Sequence, residues 1–300
     1  MENQPTLELD NNMLKNKKYV EQETGLPRTY KHVKKIKPYN SNDSYYIKSL
    51  ETPRAINSAA SSKMYSEIGI KTPPTQVFKG ANTSKHERSI IQPDVTQKKD
   101  IETILARNDI EYKKIFLNFS TKFKWQIFYD YDTQKQFLKF MTPTCLESLK
   151  NIYLVDELRS DTDRTLNNYF LYKKPNNMLY EGVIVIDLAQ MHIFNYAPTT
   201  KNAFNDFIVS HYTTLTPTQK EDCSTYVNRI HMIRELIDDG VMSSYNIETM
   251  VKALKHDFPK EVKILCKKQK LSHKLTNETY SPIARLWEYN QQQLGKDLGL

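Results

Sequence analysis

Residues 1–25 are polar and show no hydrophobic period, the pattern of an extended arm rather than a packed element. Thr29–Lys37 (TYKHVKKIK) then reads as a strand, and NSNDS at 40–44 supplies turn chemistry. Tyr45-Tyr46-Ile47-Lys48 reads as the returning strand, which predicts a hairpin ending on a lysine. Over 54–68, Ile56, Ala59, Ala60, Met64 and Ile68 recur at helical spacing, and Gly69 stands where a C-terminal cap belongs. Pro73-Pro74 breaks the chain before a strand over Thr75–Lys79, and the polar stretch 80–98 reads as loop.

Two further strands are predicted, at Trp125–Tyr129 and Gln136–Met141. Thr142-Pro143-Thr144 introduces a helix over 145–158, followed by a polar loop, Ser160–Thr165. Asn168–Tyr172 and Gly182–Ile186 are short apolar runs separated by the turn KKPNN (173–177), as in a hairpin. Beyond residue 200 the pattern is helical: one helix from Thr216-Pro217 to Gly240, then others over 245–256, 259–270 and 282–294. This order predicts a two-lobed α+β protein. It comprises an arm (1–27), a β-rich N-lobe (28–141) and a mainly helical C-lobe (142–300).

With 39% hydrophobic and 26% charged residues, a 300-residue chain can bury one large core or two modest ones, as soluble proteins do. No apolar run is long enough to span a bilayer, and MENQPTLELDNN lacks the features of a secretory signal, so a cytoplasmic setting is expected. Cys145, Cys223 and Cys266 are too few and too scattered for a disulfide framework or a zinc site. His192, alone in an apolar stretch, reads as core.

The net charge of +8 favours polyanionic partners. Cations concentrate early, at Lys17, Lys18, Arg28, Lys31, Lys34, Lys35 and Lys37, and again on a helical face carrying Lys260, Lys263, Lys267, Lys268, Lys270 and Lys274. No basic–aromatic repeat marks a nucleic-acid-binding strand, and no nucleophile elbow marks a hydrolase.

Phosphoryl transfer needs a carboxylate at the attacking hydroxyl, oxygen ligands for bridging metal ions and a cation on the phosphates. In Asp161-Thr162-Asp163-Arg164-Thr165-Leu166-Asn167-Asn168, the spacing can place Asp163 at the acceptor and Asn168 at a metal. The buried-strand run 183–186 terminates in Asp187, a carboxylate that is costly there unless paired or metal-bound, though such residues also cap turns.

The stretch from Leu154 through Asp163-Arg164-Thr165 to Asn168 resembles the catalytic loop of HipA-type and phosphatidylinositol-kinase-like enzymes. Tyr46-Ile47-Lys48, the helix at 54–68 and Gly69-Ile70-Lys71-Thr72-Pro73-Pro74-Thr75 resemble the HipA-like N-lobe, so the likeness covers roughly residues 45–190. The resemblance implies a kinase fold using ATP with Mg2+ or Mn2+. It makes Asp163 the catalytic aspartate, Asn168 and Asp187 the metal ligands, and Lys48 the phosphate-binding lysine. The run Phe137–Met141, with Lys139, Phe140 and Met141, becomes the strand and hinge that meet adenine.

Three features depart from that family: Thr165 stands where histidine is usual, and Gly25 is the only glycine before Gly69, so there is no glycine-rich loop. Asn57 and Ser58 occupy the region where a glutamate partner for Lys48 is expected, with Glu51 and Glu67 as substitutes. The resulting expectation is an atypical Ser/Thr protein kinase acting on a protein substrate. Its basic cluster is expected to bind an activating polyanion such as an inositol polyphosphate. Some relatives are effectors that intracellular bacteria secrete into host cells, which extends the same expectation here. A phosphoinositide kinase, and a pseudokinase or adaptor at an anionic membrane surface, stand as alternatives.

Overall fold

The computed structural model describes residues 18–23, 33–39, 41–80, 87–97, 102–105, 125–161, 168–188 and 229–300. The N-terminal half is built on a five-stranded antiparallel sheet of β1 (Tyr19–Gln22), β2 (Val33–Pro38), β3 (Tyr45–Glu51), β4 (Gln76–Phe78) and β5 (Glu87–Pro93). The spatial order is β1-β2-β3-β5-β4. Helix α1 (Thr52–Glu67) leaves β3 directly, with Pro53 in its first turn, and Gly69 ends the helical segment at φ +93°, a conformation in which a Cβ would be strained.

A second antiparallel sheet joins β6 (Glu102–Leu105), β7 (Tyr169–Lys173) and β8 (Gly182–Val185) in that order. The two sheets therefore part between Pro93 and Glu102. Two short helices, α2 (Gln126–Tyr129) and α3 (Tyr131–Phe137), precede the long α4 (Pro143–Leu158), and residues 229–238 are also helical. The chain closes with α5 (Ser244–Lys255), α6 (Phe258–Lys268) and α7 (His273–Leu294). The result is a two-lobed α+β fold, β-rich towards the N-terminus and helical towards the C-terminus.

Helices α4, α5 and α7 start on side-chain caps. Thr142 accepts from the Cys145 amide with Pro143 following, Ser243 and Asn246 form a capping box, and Ser272 accepts from the Leu275 amide. Helix α1 is covered on more than one side, by β3, β4 and β5 and by α6 and α7. Its Ala55, Ala59, Ala60, Ser58, Ser61 and Ser62 are all buried, and such small side chains let neighbouring elements approach closely. A single hydrophobic core runs from α1 through α4, α5 and β8 to α6 and α7.

Three expectations fail here. The polar stretch 80–98 contains β5, which lies between β3 and the edge strand β4 and buries Ser89, Ile90 and Ile91. A strand covered on both faces does not alternate, so ERSIIQP carries no period-two signal. Trp125–Tyr129 is helical over Gln126–Tyr129, and Gln136–Met141 is the end of α3 followed by a turn, not a strand. Aromatic and β-branched residues suggested strands there, whereas Asp130 accepts from the Asp132 amide and caps α3, a local signal that was present in the sequence. Because Ile91 is fully buried in β5, a strand paired on both edges, Ile91→Ala is expected to cost about 2–5 kcal/mol in chemical denaturation.

Candidate active site

Lys48 sits mid-strand in β3, opposite Val33 of β2 and Ile90 of β5. Its ammonium donates to Asp187 Oδ1 at 2.7 Å, although the two residues lie 139 positions apart in the chain. The two side chains are 26% and 32% exposed, so the pair lines a solvent-reached surface rather than the core.

Asp187 stands two residues beyond β8 with φ +55°, the left-handed region that a non-glycine residue occupies only when its surroundings hold it there. At the same end of the β7–β8 hairpin lies Asn168, whose carbonyl accepts from the Ile186 amide at 2.9 Å, one step beyond the Tyr169–Val185 pair. The hairpin is tied to the segment after α1, since the Val185 amide donates to the Lys71 carbonyl at 2.8 Å. Lys48, Asn168 and Asp187 are thus gathered at one place by two different sheets.

The glutamate that the family pattern puts on the helix after Lys48 has no counterpart here. Asn57 of α1 donates instead to the Leu188 carbonyl at 3.2 Å and accepts from Ser61 Oγ at 3.3 Å. Glu67 pairs with His256 at 2.7 Å and with Lys63 at 3.8 Å, on the outer side of α1. Glu51 lies three positions along the strand from Lys48, which alternation turns to the opposite face. Asp187 is the acid that receives Lys48.

Behind the pair lies a buried polar network that sequence reading did not single out. Arg159, at the end of α4, is fully buried. Its Nη1 reaches Tyr65 Oη at 3.2 Å and Asp161 Oδ2 at 3.4 Å, and its Nη2 donates to the Leu188 carbonyl at 3.0 Å. Tyr65 of α1 in turn donates to Asp156 of α4. Partners on both terminal nitrogens help make such a buried cation tolerable, while its Nε has no hydrogen-bond partner. Asp161 heads the segment that carries Asp163; Asp163 itself lies outside the described residues.

The residues expected to meet adenine lie in a turn rather than on a strand. Lys139, Phe140 and Met141 follow α3, the Phe140 carbonyl accepts from Tyr180, and the Lys139 and Met141 amides bond to Gln136 and Phe137. Met141 forms a bridge with Tyr180 and its side chain is in the core. These main-chain groups are already committed within the protein, and no strand leaves the five-stranded sheet at this point.

In the basic cluster, Lys17, Arg28 and Lys31 lie outside the described residues, as does His192. Lys18 is exposed and Lys37 half-buried. Lys34 pairs with Glu21 at 2.7 Å, and Lys35 pairs with the buried Asp94 at 2.7 Å beside the Tyr46 ring. Burial disfavours the Lys35 ammonium, but the hydrogen bond and charge of Asp94 outweigh it and raise its pKa. Lys35 therefore ties β2 to the segment leaving β5. Burial pushes the Cys145 thiol up to about 12 and Cys266 to about 11, which leaves both inert at neutral pH.

Asn168 and Asp187 offer the oxygen donors that a hard divalent cation prefers, and a cation such as Mg2+ completes its shell with water and phosphate oxygens. The donor set fits a metal–nucleotide complex rather than an all-protein cage; among the described residues no group of three or more His, Cys, Asp or Glu could hold an ion. Nor, among them, is any helix long and apolar enough to cross a membrane.

No family model and no curated protein sequence matches this chain. Solved structures similar to it include two kinase-related chains. One is the Helicobacter pylori proinflammatory kinase CtkA, at 17% identity and TM-score 0.40, covering 86% of this chain and 94% of that one. The other is a chain of the Shewanella oneidensis MR-1 complex of HipA, HipB and operator DNA, at 10% identity and TM-score 0.48, covering 85% of this chain and 59% of that one.

Proposed function

We propose that this chain is an atypical ATP-dependent kinase that transfers the γ-phosphoryl group of ATP to a serine or threonine hydroxyl of a protein. The observation that carries the reading is the meeting of Lys48 with Asp187 at 2.7 Å, with Asn168 at the same end of the hairpin. A strand lysine, a carboxylate and an amide converging from separate sheets form the kit for positioning phosphates and a divalent cation.

In this reading Lys48 leaves Asp187 for the phosphates of ATP. Asn168 and Asp187 hold Mg2+ or Mn2+, which supplies positive charge where the transferring phosphoryl group gathers negative charge. Asp163 orients the acceptor hydroxyl and takes its proton as the new P–O bond forms and ADP leaves. The basic cluster is assigned to an activating polyanion such as an inositol polyphosphate, with Lys35 contributing structure rather than a free charge.

The test is radiolabelled ATP with purified protein, offered a generic protein acceptor and phosphoinositide vesicles, with and without inositol polyphosphate. Label in the protein acceptor supports the reading. Label in lipid reassigns the acceptor, and no transfer with no metal–nucleotide binding replaces the kinase by a binding protein. Lys48→Ala is expected to lower the rate at limiting ATP about tenfold to a thousandfold. An unchanged rate would give the phosphate role to another cation.

A further inference from the structure

The carbonyl of Leu188, the residue next to Asp187, is gripped by two buried side chains from different helices. Asn57 Nδ2 of α1 reaches the Leu188 carbonyl at 3.2 Å, and Arg159 Nη2 at the end of α4 reaches the same oxygen at 3.0 Å. Both side chains are fully buried, so water cannot replace either bond when it is lost. One carbonyl oxygen has two lone pairs, and two donors on it fix the plane of the peptide. The residue just before, Asp187, stands at φ +55°, a conformation that persists where the surroundings over-determine it.

We propose that Arg159 and Asn57 form a two-donor clamp on the Leu188 carbonyl that sets the direction in which Asp187 presents its carboxylate to a divalent cation. Arg159 has a second duty. Its Nη1 lies 3.4 Å from Asp161, which heads the segment bearing Asp163, and 3.2 Å from Tyr65 on α1. One planar guanidinium therefore ties the metal-binding aspartate, the start of the catalytic segment and α1 into a fixed relation. A lysine, with a single point charge, cannot span these partners. Arg159 and Asn57 are positioning residues, and the inference rests on the phosphotransfer reading above.

The test uses the full chain with Arg159→Met, Arg159→Lys and Asn57→Leu. Binding of Mn2+ with a non-hydrolysable ATP analogue is followed by electron paramagnetic resonance and normalised to the folded fraction from a thermal melt. The Mn2+ half-saturation concentration is expected to rise about tenfold or more in R159M and roughly threefold to tenfold in N57L. R159K is expected to fall between wild type and R159M. A merely structural role would lower the melting temperature and leave the half-saturation of the folded protein unchanged, and that result overturns the clamp. If R159M does not fold, N57L decides on the same readout. Wild-type protein that binds no metal–nucleotide complex overturns the phosphotransfer reading, and the clamp with it.

Discussion

Asp187→Asn is expected to reduce phosphate transfer by about a thousandfold or more while leaving the melting temperature close to wild type. Asparagine keeps the size of the side chain and tolerates the left-handed backbone at φ +55°, so the fold has little reason to change. What disappears is the negative charge that receives Lys48 at 2.7 Å and that would hold a divalent cation. Asp187→Ala adds a backbone cost of about 1–2 kcal/mol, because alanine has no side chain to compensate a left-handed conformation. Single-turnover transfer measured across a metal titration reads the effect. A rate within tenfold of wild type would show that the cation is not held by Asp187.

The second large effect is expected at Asp163. Asp163→Asn should lower transfer by roughly 10²- to 10⁴-fold, the range for removing a group that accepts a proton in the transition state. It should do so without altering metal–nucleotide binding, because the ligands assigned to the cation are Asn168 and Asp187. The two variants therefore separate on a Mn2+ titration: Asp187→Asn loses cation binding, and Asp163→Asn keeps it. Wild-type turnover in Asp163→Asn would move the acceptor-orienting role to another group. The chain on either side is anchored, with Asp161 on the buried Arg159 and the Asn168 carbonyl on the Ile186 amide.

Where local pattern was strong, the elements fell close to their predicted places. The hairpin strand ending near Lys48, helix α1 with Gly69 behind it, α4 behind Thr142-Pro143, and the β7–β8 hairpin each carry a period and a boundary residue. β5 was missed because its face-on burial removes alternation, and β1 was hidden in a polar arm where pairing with β2, not composition, makes the strand. The strand expected at 136–141 was misplaced for a related reason. With β5 unseen, the last strand before the helical half was sought at 136–141, where the chain turns out of α3 and bonds to Tyr180.

The sequence by itself determined the order of elements and the reactive groups at their ends, because hydrophobic period, caps and strand boundaries are local properties. A lysine within a strand, an asparagine at the start of a hairpin and an aspartate after its second strand can all be read without knowing what they touch. Only the tertiary structure decided which of them meet. Lys48 and Asp187 are joined across 139 positions by the packing of one sheet against another hairpin, and no local pattern encodes that distance. The same holds for Lys35, which reads as a surface cation and is spoken for by the buried Asp94. It holds most of all for Arg159 and Asn57. A buried guanidinium and a buried amide look like any polar residue in a sequence, and only the enclosing helices make them donors to one carbonyl beside Asp187.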